Sequence, residues 1–155
     1  MTDLFTRRRT NLGRLLFRGY RAINVGLLEE LRAEGHRQLR LGHVAVLSNL
    51  DLSGGTRLVV IAERAGVTKQ AIGPVARELE SLGYVSTAVD PSDGRAKLVS
   101  LTAAGRQVIE HAQPIIARIE GEVRDNLGPA GFETLVGLLT NLLDDFDEGD
   151  AFPER

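Results

Sequence analysis

Apolar residues recur at positions 5, 12, 16, 20, 23, 27 and 31, every three to four residues or a multiple of that, so one face of a long first helix is apolar as far as Leu31. The string EGHRQLRLG then breaks the stripe. Leu41, Val44, Leu47 and Leu50 predict a shorter second helix, closed by the turn-forming DLSGG at 51–55. Leu58, Ile61, Ala62 and Ala65 predict a third, about two turns long, that stops at Gly66, the preferred residue just past a helix end. A fourth restarts at once. Thr68 can accept from the free N–H groups of its first turn while Val67 packs on Ile72, and Ile72, Val75, Ala76, Leu79 and Leu82 form its apolar face before Gly83.

The period then changes from helical to β. YVSTAV (84–89) and KLVSL (97–101) are short runs of β-forming composition, separated by the turn residues Asp90, Pro91 and Gly94, and predict a hairpin attached directly to the fourth helix. Thr102 can cap a long helix with the stripe Val108, Ala112, Ile115, Ile119, Val123 and Leu127, which GPAG at 128–131 breaks. A last helix carries Phe132, Leu135, Val136, Leu138, Leu139, Leu142, Leu143 and Phe146. These apolar residues occupy more than one face, too many for a single neighbour, and predict a homodimer interface.

The expected fold is therefore mainly α with a small β-hairpin wing. A winged helix-turn-helix lobe over about 38–101 is joined to dimerisation helices over about 3–34 and 102–147, with an acidic tail at 148–155, in a single domain of 155 residues. The chain has no Cys, which removes disulfides, thiolate metal sites and thiol redox sensing. Arg14 and Arg18 interrupt the apolar residues near the start, so the expectation is a cytoplasmic protein with neither a signal peptide nor a membrane span. Charge is unevenly spread. Residues 1–40 hold nine Arg against four acids, and residues 107–155 hold three Arg against eleven acids, so the formal net charge of −2 hides a basic front and an acidic end. No nucleophile elbow, phosphate-binding loop, dinucleotide glycine run or HExxH appears, and an enzyme is not expected. His36, His43 and His111 show no i, i+4 pairing, so neither a metal nor any other cofactor is expected.

The order of helices, the segment IAERAGVTKQAIGPVARELESLGYV and the following DPSDGRAKLVSLTAAGR resemble the MarR family of winged-helix transcription regulators over essentially the whole chain. The most specific part runs from Asp90 through Gly105, with an Asp- and Arg-bearing wing turn, a strand ending in Leu-Thr, and a Gly three residues later. It departs from the pattern at Ser92, where many members carry a further Arg. The resemblance implies a homodimer on a pseudo-palindromic DNA operator, usually a repressor, released by a small aromatic or phenolic effector.

The residues give that reading specific positions. On the fourth helix a 100° step turns Gln70, Gly73, Pro74, Arg77 and Ser81 outward, towards a DNA groove. Gln70 suits adenine, Lys69 guanine or phosphate, and Thr68 or the Pro74 ring thymine methyls, while Arg77 suits phosphate. Pro74 removes an N–H in the second turn, so the helix is either kinked there or its regular part starts later than Thr68, with Pro74 within the first turn. At the wing, Arg95 can enter the minor groove, Lys97 can reach phosphate, and Asp93 can pair with Arg95 and aim it, with Ser92 beside them in the turn. Tyr20, His36 and His43 are candidate lining residues of an effector pocket. A winged-helix module that binds protein and does not read DNA is the alternative.

Overall fold

The computed structural model describes residues 11–148, and their side chains as far as Asp144. Among these residues there are six helices and three strands: α1 (Leu12–Ala33), α2 (Leu41–Leu47), β1 (Thr56–Arg57), α3 (Leu58–Arg64), α4 (Lys69–Ser81), β2 (Val85–Asp90), β3 (Asp93–Leu101), α5 (Ala103–Leu127) and α6 (Pro129–Glu148). The expected stripe positions Phe5 and Phe146 and the acidic tail beyond Glu148 fall outside what is described. The chain divides into two compact units between Ile115 and Ile116, within α5.

In the first unit, the strands form one antiparallel sheet in the order β1-β3-β2. Thr87 and Thr56 both lie opposite Val99, one on each side of β3, and a register shift at Val89/Asp90 turns the hairpin at its tip. Two features differ from the sequence expectation. β3 begins at Asp93, four residues before the apolar run KLVSL, because its first residues pair through the backbone while their side chains stay in solvent. The segment DLSGG is followed by β1, whose Thr56 is buried. Its hydroxyl donates to Asp51 Oδ2 at 2.9 Å and accepts from the Asp51 N–H at 2.8 Å. Asp51 also takes Arg64 Nη1 at 2.8 Å, and these hydrogen bonds hold its carboxyl below the usual carboxylate range.

The core lies where the helices meet this sheet. Leu39, Val46, Ile61 and Leu79 are fully buried, and Val85, Val99 and Val108 nearly so. Only the C-terminal third of α1 takes part, through Leu27, Leu28 and Leu31. Earlier on that helix Leu12, Leu15, Leu16, Phe17, Tyr20 and Ile23 are exposed, Phe17 at 61%. The helix-turn-helix itself is α3–α4, and its turn has a specific cause. Gly66 adopts φ 64°, so its N–H reaches the Glu63 carbonyl and the Val67 N–H the Ala62 carbonyl, both at 3.0 Å, and α3 is closed by a Schellman motif. Thr68 then caps α4 by accepting from the Ala71 N–H at 3.2 Å. Val67 stays 44% exposed, so the expected staple on Ile72 is at most partial.

Thr102 caps α5 as expected, accepting from the Gly105 N–H at 3.1 Å and donating to the Gly83 carbonyl at 2.6 Å. The carbonyl of Tyr84 sits so close to Gly105 that a Cβ there would collide with it. In the second unit, α6 follows the positive-φ Gly128, and Arg124 lies 4.3 Å over the Phe132 ring while pairing with Glu133 at 2.7 Å. Leu135, Val136, Leu138 and Leu143 of α6 are exposed, Leu138 at 63%.

Candidate nucleic-acid interface

Helix α4 presents two faces. Ile72, Ala76 and Leu79 are buried, whereas Lys69, Gln70, Pro74, Arg77 and Ser81 are exposed, as the helical spacing predicts. Gly73 corrects that set. It is buried, with Leu58 Cδ2 of α3 and Arg77 Nη1 each 3.8 Å from where a Cβ would stand. Gly73 therefore presents no surface to a groove, although a methyl at this position would make only ordinary contacts. The choice over Pro74 is also decided in part: the helix starts at Lys69, Pro74 is its sixth residue, and the helix passes through it, so a late start does not apply.

Lys69 and Arg77 of α4 meet Arg95 and Lys97 of β3 around one open cavity of about 280 Å³, floored by Arg57 and Leu58 at the start of α3. Residues 28 positions apart are thus brought to one surface. None of Lys69, Arg77, Arg95 and Lys97 has an ion-pair partner among the described residues, so four positive charges face solvent together. Thr68, the N-cap, and Gln70 and Pro74 of α4 are exposed outside the cavity lining.

The fifth cation, Arg57, was not singled out by the sequence, and it braces the wing. Its Nε donates to Asp90 Oδ2 at 2.6 Å and its Nη2 to Ser92 Oγ at 3.0 Å. Asp90 is buried, and its other oxygen accepts from the N–H and the hydroxyl of Ser92, at 2.8 and 2.7 Å. These hydrogen bonds from Ser92 and then Arg57 lower the Asp90 carboxyl to about 2. Ser92 is thereby committed to the turn: its hydroxyl is used within the clamp, although the residue itself is exposed.

The expected ion pair between Asp93 and Arg95 is not formed. Asp93 Oδ1 accepts instead from the Arg95 backbone N–H at 3.0 Å, closing an Asx turn across Gly94, because this local bond needs only two residues of reach. The Arg95 side chain is exposed, with no ion-pair partner among the described residues.

The three candidate pocket residues do not form one cluster. Tyr20 lies 56% exposed on α1. His36 is buried, with Nδ1 3.2 Å from the Tyr84 hydroxyl and Nε2 3.1 Å from His111 Nδ1. Burial, then the neighbouring His111, lower its pKa, against a smaller opposing effect of Glu34. His43 is buried beneath α4. Its Nδ1 accepts from the Arg40 N–H at 3.2 Å, so Nε2 carries the proton and faces Glu78 Oε2 at 3.3 Å. Burial, then the Arg40 charge, lower its pKa. Among the described residues no three His, Cys, Asp or Glu side chains are placed to hold a metal ion, and no helix is long and apolar enough to cross a membrane.

Comparison with known proteins places this geometry. Residues 37–96, which carry the helix-turn-helix and most of the wing, match the family model described as MarR family. The HTH-type transcriptional repressor Rv2887 of Mycobacterium tuberculosis is 33% identical over 85 residues, 55% of this chain and 61% of that protein, so the match spans about three fifths of the relative's length. The transcriptional activatory protein BadR of Rhodopseudomonas palustris is 28% identical over 89% of this chain and 83% of its own. Among solved structures, the transcriptional repressor CouR bound to a 23-mer DNA duplex is 25% identical and superimposes with a TM-score of 0.71, covering 88% of this chain and 95% of that one. CouR from Rhodococcus jostii RHA1 bound to p-coumaroyl-CoA gives 0.70 at 25% identity, over 94% and 95% of the two chains.

Proposed function

We propose that this chain, whose residues 37–96 match the MarR family model, is a homodimeric, sequence-specific DNA-binding transcription regulator acting in the cytoplasm. The observation that carries this reading is the convergence of Lys69 and Arg77 from α4 with Arg95 and Lys97 from the wing on one solvent-facing surface. Unpaired cations on a helix and on the hairpin beside it suit a helix laid in the major groove and a wing tip at the minor groove. Gln70 reads base edges with Lys69, Thr68 and Pro74 supply methyl and ring contacts, and Arg77 and Lys97 hold phosphate. Arg95 enters the minor groove. Arg57, Asp90, Ser92 and Asp93 fix the wing that presents it.

Two copies are needed for a pseudo-palindromic operator. The apolar stripe of α1 and that of α6 are each too exposed for a free surface and suit burial against a second copy. Repression fits the function named for Rv2887 and CouR, and a small aromatic or phenolic effector fits the p-coumaroyl-CoA complex of CouR. The test is fluorescence anisotropy on DNA from upstream of the protein's own gene against scrambled DNA. Tight binding with two protomers per duplex supports the regulator. Equal, weak binding to both DNAs, and to neighbouring promoters, favours a winged-helix module that binds protein.

A further inference from the structure

A second concavity of the winged lobe, about 490 Å³, is lined by Arg32 at the end of α1, Arg37, Gln38 and Arg40 from the connection to α2, and Glu78 and Leu82 of α4. It shares no residue with the cavity under the wing. Three guanidinium groups and one carboxylate surround it, and the one carboxylate is already divided between two partners. Glu78 Oε1 pairs with Arg40, and its Oε2 faces the His43 Nε2–H at 3.3 Å. Arg32 is held in place by a neutral group: its Nε and Nη2 donate to the Leu39 carbonyl at 3.1 and 2.8 Å, which fixes the side chain without compensating its charge. Arg37 has no ion-pair partner among the described residues.

We propose that this cavity binds a small anionic molecule through a carboxylate or phosphate group, clamped by Arg32, Arg37 and Arg40, with the anion competing against Glu78 for Arg40. The planar donors of arginine match either anion two-pronged, and a guanidinium already fixed, as Arg32 is, loses little freedom on binding. The volume suits a small metabolite, and with Leu82 as the only apolar lining residue the ligand is polar. Occupation would have a route to α4. Glu78 is next to Arg77, and losing Arg40 leaves it tethered to the start of α2 only through His43. This regulatory consequence rests on the DNA-binding reading, whereas the binding site itself does not.

The test is isothermal titration of the full chain, without DNA, with pyrophosphate and with citrate as separate probes. At least one should bind at one site per chain: pyrophosphate alone marks a phosphate ligand, citrate alone a carboxylate, and both mark a general anion clamp. Arg37 is exposed, so Arg37→Gln should remain folded by circular dichroism and weaken binding at least fivefold. Glu78→Gln, which frees Arg40, should tighten it. No heat with either probe overturns the proposal. So does binding that Arg95→Ala abolishes and Arg37→Gln spares, since the anion then sits under the wing, and so does a Glu78→Gln variant that binds no tighter. Anion binding as expected beside sequence-indifferent DNA binding would leave this site standing and remove the regulator reading.

Discussion

Replacing Arg95 by Ala removes one of the four unpaired cations that face solvent together at the wing and α4. If Lys69, Arg77, Arg95 and Lys97 each displace the counterion of about one phosphate, whether the cation sits on the backbone or in a groove, a dimer displaces about eight, and release at about 0.9 per phosphate gives a slope of log K against log salt near −7. The variant loses one contact per protomer. Its slope should therefore fall to roughly −5, and its affinity at moderate salt by tenfold or more. The guanidinium has no ion-pair partner among the described residues, and Asp93 is engaged by the Arg95 backbone, so the wing should keep its shape and the loss should report DNA contact. The assay is anisotropy titration of wild type and variant on one duplex at four or five KCl concentrations. A variant slope within about 0.5 of wild type would refute the argument, because it would mean that Arg95 releases no counterions and that the cationic cluster is not the DNA surface.

Other residues give independent checks. Leu79 is fully buried on the inner face of α4, so Leu79→Ala should cost about 2–5 kcal/mol in urea unfolding; a loss under 1 kcal/mol would contradict the packing described. The Asp90 carboxyl is lowered in the fold from 3.8 to about 2, so its contribution is complete above its unfolded value and is lost as pH falls from about 4 towards 2. Asp90→Asn should be less stable than wild type at neutral pH, and the gap should narrow over that window; a gap independent of pH would remove the Arg57 and Ser92 clamp from the account. Gly105→Ala places a methyl against the Tyr84 carbonyl, a backbone atom with little room to yield, and should lower stability by about 1–3 kcal/mol, measured by thermal melting. An unchanged melting temperature would show that the start of α5 does not press on the Tyr84 backbone just before β2.

Much of the fold was legible because its signals are local. Gly66 and Thr68 mark the turn of the helix-turn-helix, Asp90 and Gly94 bracket the wing turn, and Thr102 caps α5, each signal lying within a few residues of the feature it marks, although Asp90 and Thr102 also reach further. What was missed is long-range. Arg57 reaches Asp90 across 33 positions from a two-residue strand too short to carry any periodicity, so neither the strand nor the clamp had a sequence signature. Gly73 was misplaced because a helical wheel shows neither Leu58 of the preceding helix nor the way the Arg77 side chain lies back along α4, and both stand beside it. The Asp93–Arg95 ion pair failed for the opposite reason: the backbone N–H was nearer than the guanidinium. Tyr20, His36 and His43 were grouped by polarity along the chain, and the fold sends the two histidines to different neighbours while Tyr20 stays exposed.

The central claim is that two copies of this lobe read one DNA site together, and hydroxyl-radical footprinting of the purified protein on DNA upstream of its own gene tests it most directly. The account predicts two protected patches on one face of the duplex, with centres about 10 base pairs apart or a multiple of that, and their loss in Arg95→Ala at the same protein concentration. Uniform, weak protection along the fragment and along neighbouring promoters, unchanged in the variant, would contradict it.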